Sequence, residues 1–500
     1  FITLDASGRP TSRLLYFWDV FSDAFDQKRG GSRAPFTFPG GASLGTLYTR
    51  EQLNQDLRSP ARLIPDPDLN GHGTACASIA AGNGRASGGR WKGAAPEAEL
   101  IGVKIGDAKG SMPFYTLNAI IEWLSQVSAI ESKPVVINFS FGAQAGGHDG
   151  NSAMERHLSA RFEQNRAGRV LLIAAGNFRE YGVHGKTTIG PKSSPGVLAW
   201  NSRVQEGQIA VYVPRQFNTI FSPPDVRYDP LILNVAGPGG TTAVRTPILG
   251  VSRPWRHPVT GEWEIVFTVG PGPGAMNLFS ESGRSFAADA YFQAAPLAGS
   301  FISSLTTPSR TFSIRRAGEQ IAKPGTAASA ITVGSYDWND QFGGQTMVAC
   351  RLPIIPRQLS CYSNPGYSRA GNVKPEITAP GQVYTASSAR LNSGAPAGEP
   401  RMLAEGNAYR YFDGTSAATP YAAGVVALGL QKNPRLTVGE IRRLLQQSAS
   451  SDTFTGAVPN PNWGYGKLDL AAVRKFLTAI PPARALSPSK GRPLQPARPR

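Results

Sequence analysis

Between Glu99 and Gly190 the chain repeatedly changes its hydrophobic period, and this alternation restricts its fold more than any other feature. Leu100 to Ile105 is a short apolar run of strand type. Leu117, Ile120, Ile121, Leu124 and Val127 then recur at helical spacing. Val135 to Phe139 is another buried strand. Ser152-Ala-Met-Glu155 is a capping box that opens a helix through about Asn165, and Val170 to Ala175 is the next strand. This order predicts an α/β fold, a parallel sheet with helices on both faces, because each crossover helix must return over the sheet and cover it.

Around Gly196 the texture changes. As far as about Arg316 helical periodicity almost disappears, and short alternating runs replace it. Trp263, Ile265, Phe267 and Val269 share one face of a strand; Ile209 to Val213 and Leu231 to Val235 read the same way between Gly and Pro. The expectation is an inserted antiparallel β domain of sandwich or jelly-roll type. The α/β texture resumes at Ala327-Ser-Ala-Ile-Thr-Val-Gly334. A helix follows Gly414, and another starts at Thr437, where Glu440 completes a capping box and Ile441, Leu444 and Leu445 form the apolar side. Residues 1–195 and 321–478 are thus expected to form the two parts of one α/β domain, 196–320 the insert, and 479–500 a disordered Pro- and Arg-rich tail.

The net charge of +17 would suit an anionic partner. Outside the tail, however, the basic residues are scattered, and no aromatic-basic motif of a nucleic-acid reader occurs, so no nucleic-acid partner is expected. No apolar run approaches the ~20 residues of a membrane-spanning helix. Three cysteines do not make a disulfide framework; Cys350 and Cys361 are close enough to bridge a loop, and spacing leaves that open. Cys76 would share a helix face with His72 and reads as a buried structural thiol. Phe1, in place of Met, marks a processed form or a piece of a longer chain. Oligomeric state is not readable.

Three short segments carry chemistry: Asn70-Gly-His72-Gly-Thr74, Ala174-Ala-Gly-Asn177 and Gly414-Thr-Ser416-Ala-Ala-Thr-Pro420. His72 lies between glycines and just ahead of a helix, so its imidazole, able to exchange a proton near neutrality, sits on a rigid turn that substrate can approach. Ser416 sits at a helix start, where its hydroxyl and backbone N–H meet the positive end of the helix. Asn177 ends a buried strand and can offer a side-chain amide to the same oxyanion. Singly, each is ordinary loop, N-cap or turn chemistry. Together, in this order and each at the end of an appropriate element, they point to a serine nucleophile with a histidine base.

These segments resemble the His, oxyanion-Asn and Ser motifs of the subtilase family, and the resemblance covers nearly the whole chain. Val136-Ile-Asn-Phe-Ser-Phe-Gly142 resembles the family's substrate-binding strand, with Ser140, Phe141 and Gly142 against the substrate. Lys374-Pro-Glu-Ile-Thr-Ala-Pro-Gly381 and Gly464-Tyr-Gly-Lys-Leu-Asp469 match later family segments. The β insert, Arg13-Leu-Leu-Tyr-Phe-Trp-Asp19 and Gly147-His-Asp-Gly-Asn-Ser152 resemble bacterial subtilases related to the clostridial germination proteases, which carry a jelly-roll insertion. The resemblance implies a serine endopeptidase acting on a protein or peptide substrate, with no cofactor. Ser416 is then the nucleophile, His72 the base and Asn177 the oxyanion donor. It also favours a secreted or cell-envelope location. Structural calcium sites in the family draw oxygen ligands from scattered loops and are not legible here.

One part of the pattern is absent. The family's carboxylate, which orients the histidine, ends an apolar strand in Asp-Ser/Thr-Gly, and no such tripeptide precedes His72. Asp19 ends the apolar run Leu14 to Trp18, but Val20-Phe21 follows it. The subgroup alignment instead places the acid upstream of Phe1, and Asp66 and Asp68 fall in a Pro-rich turn. The alternative expectation is a catalytically inactive subtilase with a binding or regulatory role.

Overall fold

The computed structural model describes residues 1–483 apart from 61–63, 65–67, 69, 107–113, 164, 203–206, 214–225, 231, 238–239, 246–247, 283, 293–298, 302–303, 308–309, 314, 317, 343–344, 347, 351, 387–402 and 405–407. After a short hairpin that pairs Ile2–Leu4 with Pro10–Ser12 come strands β1 (Leu14–Asp19) and β2 (Thr46–Thr49), helices α1 (Arg50–Arg58) and α2 (His72–Ala81) and strand β3 (Leu100–Lys104). β1 runs antiparallel to β2 and parallel to β3, with Trp18 opposite Leu47 on one side and Val103 on the other. Next come α3 (Phe114–Ile130), β4 (Val135–Phe139), α4 (Ala153–Arg161) and β5 (Arg169–Ala174). The capping box predicted at Ser152 and Glu155 is present. Its helix stops at Arg161 rather than near Asn165, because Phe162 leaves helical geometry and turns into the core at 1% exposure.

The insert contains β6 (His184–Pro191), β7 (Gly196–Ser202), β8 (Gly207–Val213), β9 (Trp263–Val269), β10 (Gly272–Ser280) and β11 (Phe286–Phe292). β8 pairs antiparallel with β9 and β11, and β11 pairs in turn with β6. A second ladder joins β7 to β10, whose end meets the end of β6. Side chains at alternate positions close the core: Ile209, Val211 and Val213 meet Ile265, Phe267 and Val269, together with Leu198, Trp200, Met276 and Leu278. The sheet takes in His184–Pro191, upstream of the Gly196 boundary expected from the sequence. That segment alternates too weakly in hydrophobicity to announce a strand, and its pairing with β11 makes it one. The run predicted at Leu231 to Val235 is a strand over Ile232–Gly237, paired with Gly240–Arg245 in a hairpin; residue 231 lies outside the described residues.

The chain returns through β12 (Ile331–Tyr336) and β13 (Ile377–Pro380), then β14 (Gln382–Ala386) and β15 (Tyr409–Asp413), which pair antiparallel. Helices α5 (Thr415–Lys432), α6 (Val438–Ser448) and α7 (Leu470–Ala479) complete it. The sheet order β13-β12-β5-β4 is parallel throughout. Both faces are buried, as the continuous apolar runs required. Val170 and Leu172 of β5 pack with Val333, Ile377 and the helices α5, α6 and α7. Leu171 and Ile173 face the other way, onto Leu117, Ile121 and Leu124 of α3.

This sheet ends on β4 and the sheet that holds β1 and β2 ends on β3, and among the described residues no ladder joins those two strands. They share one apolar cluster nevertheless: Ile101 and Val103 of β3 and Ile137 and Phe139 of β4 pack with Trp18 and α3. Ile480, expected to lie in a disordered tail, is 2% exposed and seats against Gly429 of α5, so the folded part continues past Ala479; residues 484–500 lie outside the described residues. Cys350 and Cys361 form a disulfide with Cα atoms 6.2 Å apart, closing the question their spacing left open.

A buried ion pair ties β12 to β13. Lys374 is 3% exposed, and its Nζ donates to Glu376 Oε1 at 2.7 Å and to the Ala330 carbonyl at 2.8 Å; Glu376 Oε2 accepts the Thr332 N–H at 2.7 Å. Removing one partner strands the other away from water. Glu376→Leu is expected to cost about 3–5 kcal/mol in equilibrium urea unfolding, and Lys374→Met with Glu376→Leu less than the single change.

Candidate active site

Ser416 is the second residue of α5, a helix whose N-cap is Gly414. Gly414 has φ +111°, and a Cβ there would lie 2.9 Å from Asn177 Nδ2, so both conformation and space demand glycine. The Ser416 N–H has no acceptor among the described residues, as expected for an orphan donor of a first helical turn. Its hydroxyl donates to the Ser140 carbonyl at 3.1 Å.

Asn177 follows β5 through Ala175 and Gly176. Its Oδ1 accepts from the Thr415 N–H at 2.9 Å and the Thr415 hydroxyl at 2.8 Å. The amide is therefore pinned by its oxygen, and its Nδ2 is left beside Gly414, next to the Ser416 N–H. Two donors of this kind converging at a helix N-terminus form an anion-binding position.

His72 opens α2 behind Gly71, which has φ +75°. Its Nδ1 lies 3.7 Å from Cys76 Sγ, the helical neighbour foreseen in the sequence. The thiol also donates to the Ser416 carbonyl at 3.4 Å, and the Ser140 hydroxyl donates to that same carbonyl at 3.3 Å. Pro420 explains why the carbonyl is free. Having no N–H, it cannot supply the helical bond that Ser416 C=O would otherwise accept. If the thiol proton goes to Ser416, the imidazole proton sits on Nδ1 and the lone pair on Nε2, the tautomer a base needs. Burial pushes the Cys76 thiol up to about 12, so it is no second nucleophile.

Burial holds the His72 imidazole below its ordinary value, and the nearby Arg410 guanidinium lowers it further, while the Asp68 carboxylate pulls the other way. Arg410 stacks on Phe412 at 5.3 Å, and Phe412 meets the His72 ring edge-on at 5.4 Å. Neither in-chain acid in the described part serves the ring. Asp19 is 1% exposed, pairs with Lys104 Nζ at 2.9 Å and accepts from the Phe21 N–H. Asp68 accepts from the Gly71 and Thr74 N–H groups at 2.7 and 3.0 Å and from the Thr74 hydroxyl, bracing the start of α2. Asp66 lies outside the described residues. No described carboxylate hydrogen-bonds His72.

Ser140, Phe141 and Gly142 continue from β4 past Ser416. Gly142 is exposed. Phe141 stacks on Phe139 at 4.9 Å and anchors the segment to the core. Among the described residues two clusters bring metal-type ligands together, and neither suits a cation. In one, the sulfurs of Cys350 and Cys361 are spent on the disulfide. In the other, Asp289 and Glu319 already pair with Lys186 Nζ at 3.7 and 2.7 Å, and His184 Nε2 lies 3.0 Å from Asp289. No described helix is long and apolar enough to cross a membrane.

The family model described as "Subtilase family" matches residues 48–289 and 300–466, which take in His72, Asn177 and Ser416. The chain belongs to the subtilase family. It is 37% identical over 112 residues to serine protease AprX of Bacillus subtilis, a match covering 22% of this chain and 25% of that protein. With a thermostable alkaline protease of Halalkalibacterium halodurans it is 32% identical over 181 residues, 35% of this chain and 45% of the relative. The chain thus spans a quarter to less than half of the length of these two relatives. In fold it is similar to the CspB protease of Clostridium perfringens, with a TM-score of 0.66 at 20% identity over 96% of this chain and 90% of that one.

The electrostatics around His72 have a measurable consequence. A positive neighbour disfavours the imidazolium, so Arg410→Gln should raise the His72 pKa, as followed by NMR titration of the ring. The neutral, proton-accepting form is then lost at a higher pH than in the native protein, and the acid limb of any activity profile moves up with it.

Proposed function

We propose that this subtilase is a serine endopeptidase that cleaves peptide bonds of proteins through an acyl-enzyme. What carries the reading is the convergence at Ser416. Its hydroxyl, its unpaired N–H and the pinned amide of Asn177 meet at a buried helix start, and Cys76 bridges it to His72.

The steps follow. Ser416 Oγ attacks the substrate carbonyl carbon while His72 Nε2 takes the hydroxyl proton. The oxyanion is held by the Ser416 N–H and Asn177 Nδ2. Collapse breaks the C–N bond, and the departing amine takes the proton from His72. Water repeats the sequence on the ester and frees Ser416. The peptide lies along Ser140–Gly142, where Gly142 is exposed.

The unoccupied role is that of the acid. A carboxylate on Nδ1 stabilises the imidazolium, and its loss typically lowers turnover by ~10⁴. Cys76 occupies that side of the ring among the described residues, which favours, as a second reading, an inactive subtilase that binds peptides. A disulfide between Cys350 and Cys361 suits an oxidising, secreted or cell-envelope setting.

A serine-reactive fluorophosphonate separates the readings. Covalent labelling that disappears in Ser416→Ala and in His72→Ala supports the peptidase; an unlabelled native protein supports the binding role. In the active protein Asn177→Ala should lower turnover by ~10²–10³ with little change in KM, measured on a peptide substrate.

A further inference from the structure

The β insert leaves the α/β domain just after Asn177 and comes back through residues 318–323, which pair with the segment that follows Ser140–Gly142. There the Ala143 and Lys323 backbones exchange two hydrogen bonds of 2.9 Å, and the Ala322 N–H donates to the Ala175 carbonyl at 2.8 Å. The loop 143–149, which continues the Ser140–Gly142 segment, is bounded by this return. Its sequence, Ala-Gln-Ala-Gly-Gly-His-Asp, has no large apolar side chain of its own with which to hold a shape. Gly146, with φ +97°, adds backbone freedom.

Two side-chain joints supply that shape, and both reach into the insert. In the first, Arg369 donates through Nε to the Gly147 carbonyl at 2.6 Å and contacts Asp149 at 3.3 Å. Its two remaining arms grip both oxygens of Glu262, each at 2.6 Å, and its guanidinium lies 4.9 Å over the Tyr212 ring. Glu262 immediately precedes β9, and Tyr212 belongs to β8. In the second, Tyr291 of β11 is sandwiched between His148 and His184, with ring centroids 4.2 Å apart on each side and planes within 11° and 5°. All three rings are fully buried. The His148 nitrogens face the Ile321 and Gln144 carbonyls at 2.7 and 2.9 Å, so the stacked ring fastens the loop to the return segment.

We propose that Arg369 and Tyr291 are positioning residues through which the β insert holds loop 143–149, and with it Ser140–Gly142, in the conformation that accepts an extended peptide. The proposal rests on the peptide-binding role given to Ser140–Gly142 above. None of these side chains touches Ser416 or His72, so they act on peptide docking and not on the chemical step. Glu262 and the two histidines are their partners.

The test uses the full chain with Tyr291→Leu, Tyr291→Phe and Glu262→Gln, the last a surface-proximal change that keeps the fold if Tyr291→Leu does not. Hydrogen exchange read by mass spectrometry needs no catalysis. Residues 140–149 should exchange about tenfold faster in Tyr291→Leu and Glu262→Gln, with β5 unchanged and Tyr291→Phe like the native protein because it keeps the stack. For a hexapeptide substrate KM should rise by about the same factor, with kcat and the rate of fluorophosphonate labelling unaltered. Unchanged exchange over 140–149, equal loosening of β5, or faster exchange with an unmoved KM would each overturn the proposal. Failure of the native protein to label would overturn the peptidase reading instead, and the exchange result would still decide the positioning.

Discussion

The geometry of the site depends on how closely α2 and α5 approach. At Gly424 a Cβ would lie 2.6 Å from the Ala80 carbonyl and 2.7 Å from Ala94 Cβ, so the two helices touch backbone to backbone. Small residues make this contact available: Ala417, Ala418, Ala422 and Ala423 bury along α5, and Ala75 buries along α2. A wider interhelical spacing would separate His72 from Ser416, because each stands at the N-terminal end of its helix, and would also pull Cys76 away from the Ser416 carbonyl. A rigid, close-packed interior transmits such a displacement directly to the ends of its elements.

Pro420 adds to the same arrangement. Its missing N–H leaves the Ser416 carbonyl free within a helix, and Cys76 and Ser140 both donate to it. One unpaired carbonyl thereby gathers α2, α5 and the strand extension that would hold the peptide. Cys76 and Ser140 are themselves buried, and hydrogen-bonded polar groups away from water favour one geometry.

The β insert is joined to this centre at both ends. It departs just after Asn177 and returns through residues 318–323, which bond to Ala175 and Ala143, so its fold bears on a loop that has no apolar anchorage of its own. Arg369 and the His148–Tyr291–His184 stack are the contacts through which it does so. They come from segments far apart in the chain, which is why no local pattern announced them.

The amino-acid sequence by itself determined the α/β core, since β4 and β5 follow from continuous apolar runs and α3 from helical spacing, each a local consequence of burial on known faces. It also picked out His72, Asn177 and Ser416, because glycine framing and helix starts are local chemistry. Other features needed the folded chain. β6 is a strand only because β11 pairs with it, and Phe162 ends α4 because the core takes its ring. Ile480 is ordered because α5 offers a glycine to receive it. The tertiary structure alone decided that Asp19 answers Lys104, that Asp68 braces a helix start, and that the Cys76 thiol reaches the Ser416 carbonyl. The reason is physical: the partner of a charge or a lone pair is set by what packing brings within ~3 Å, and a sequence carries residue types without those distances.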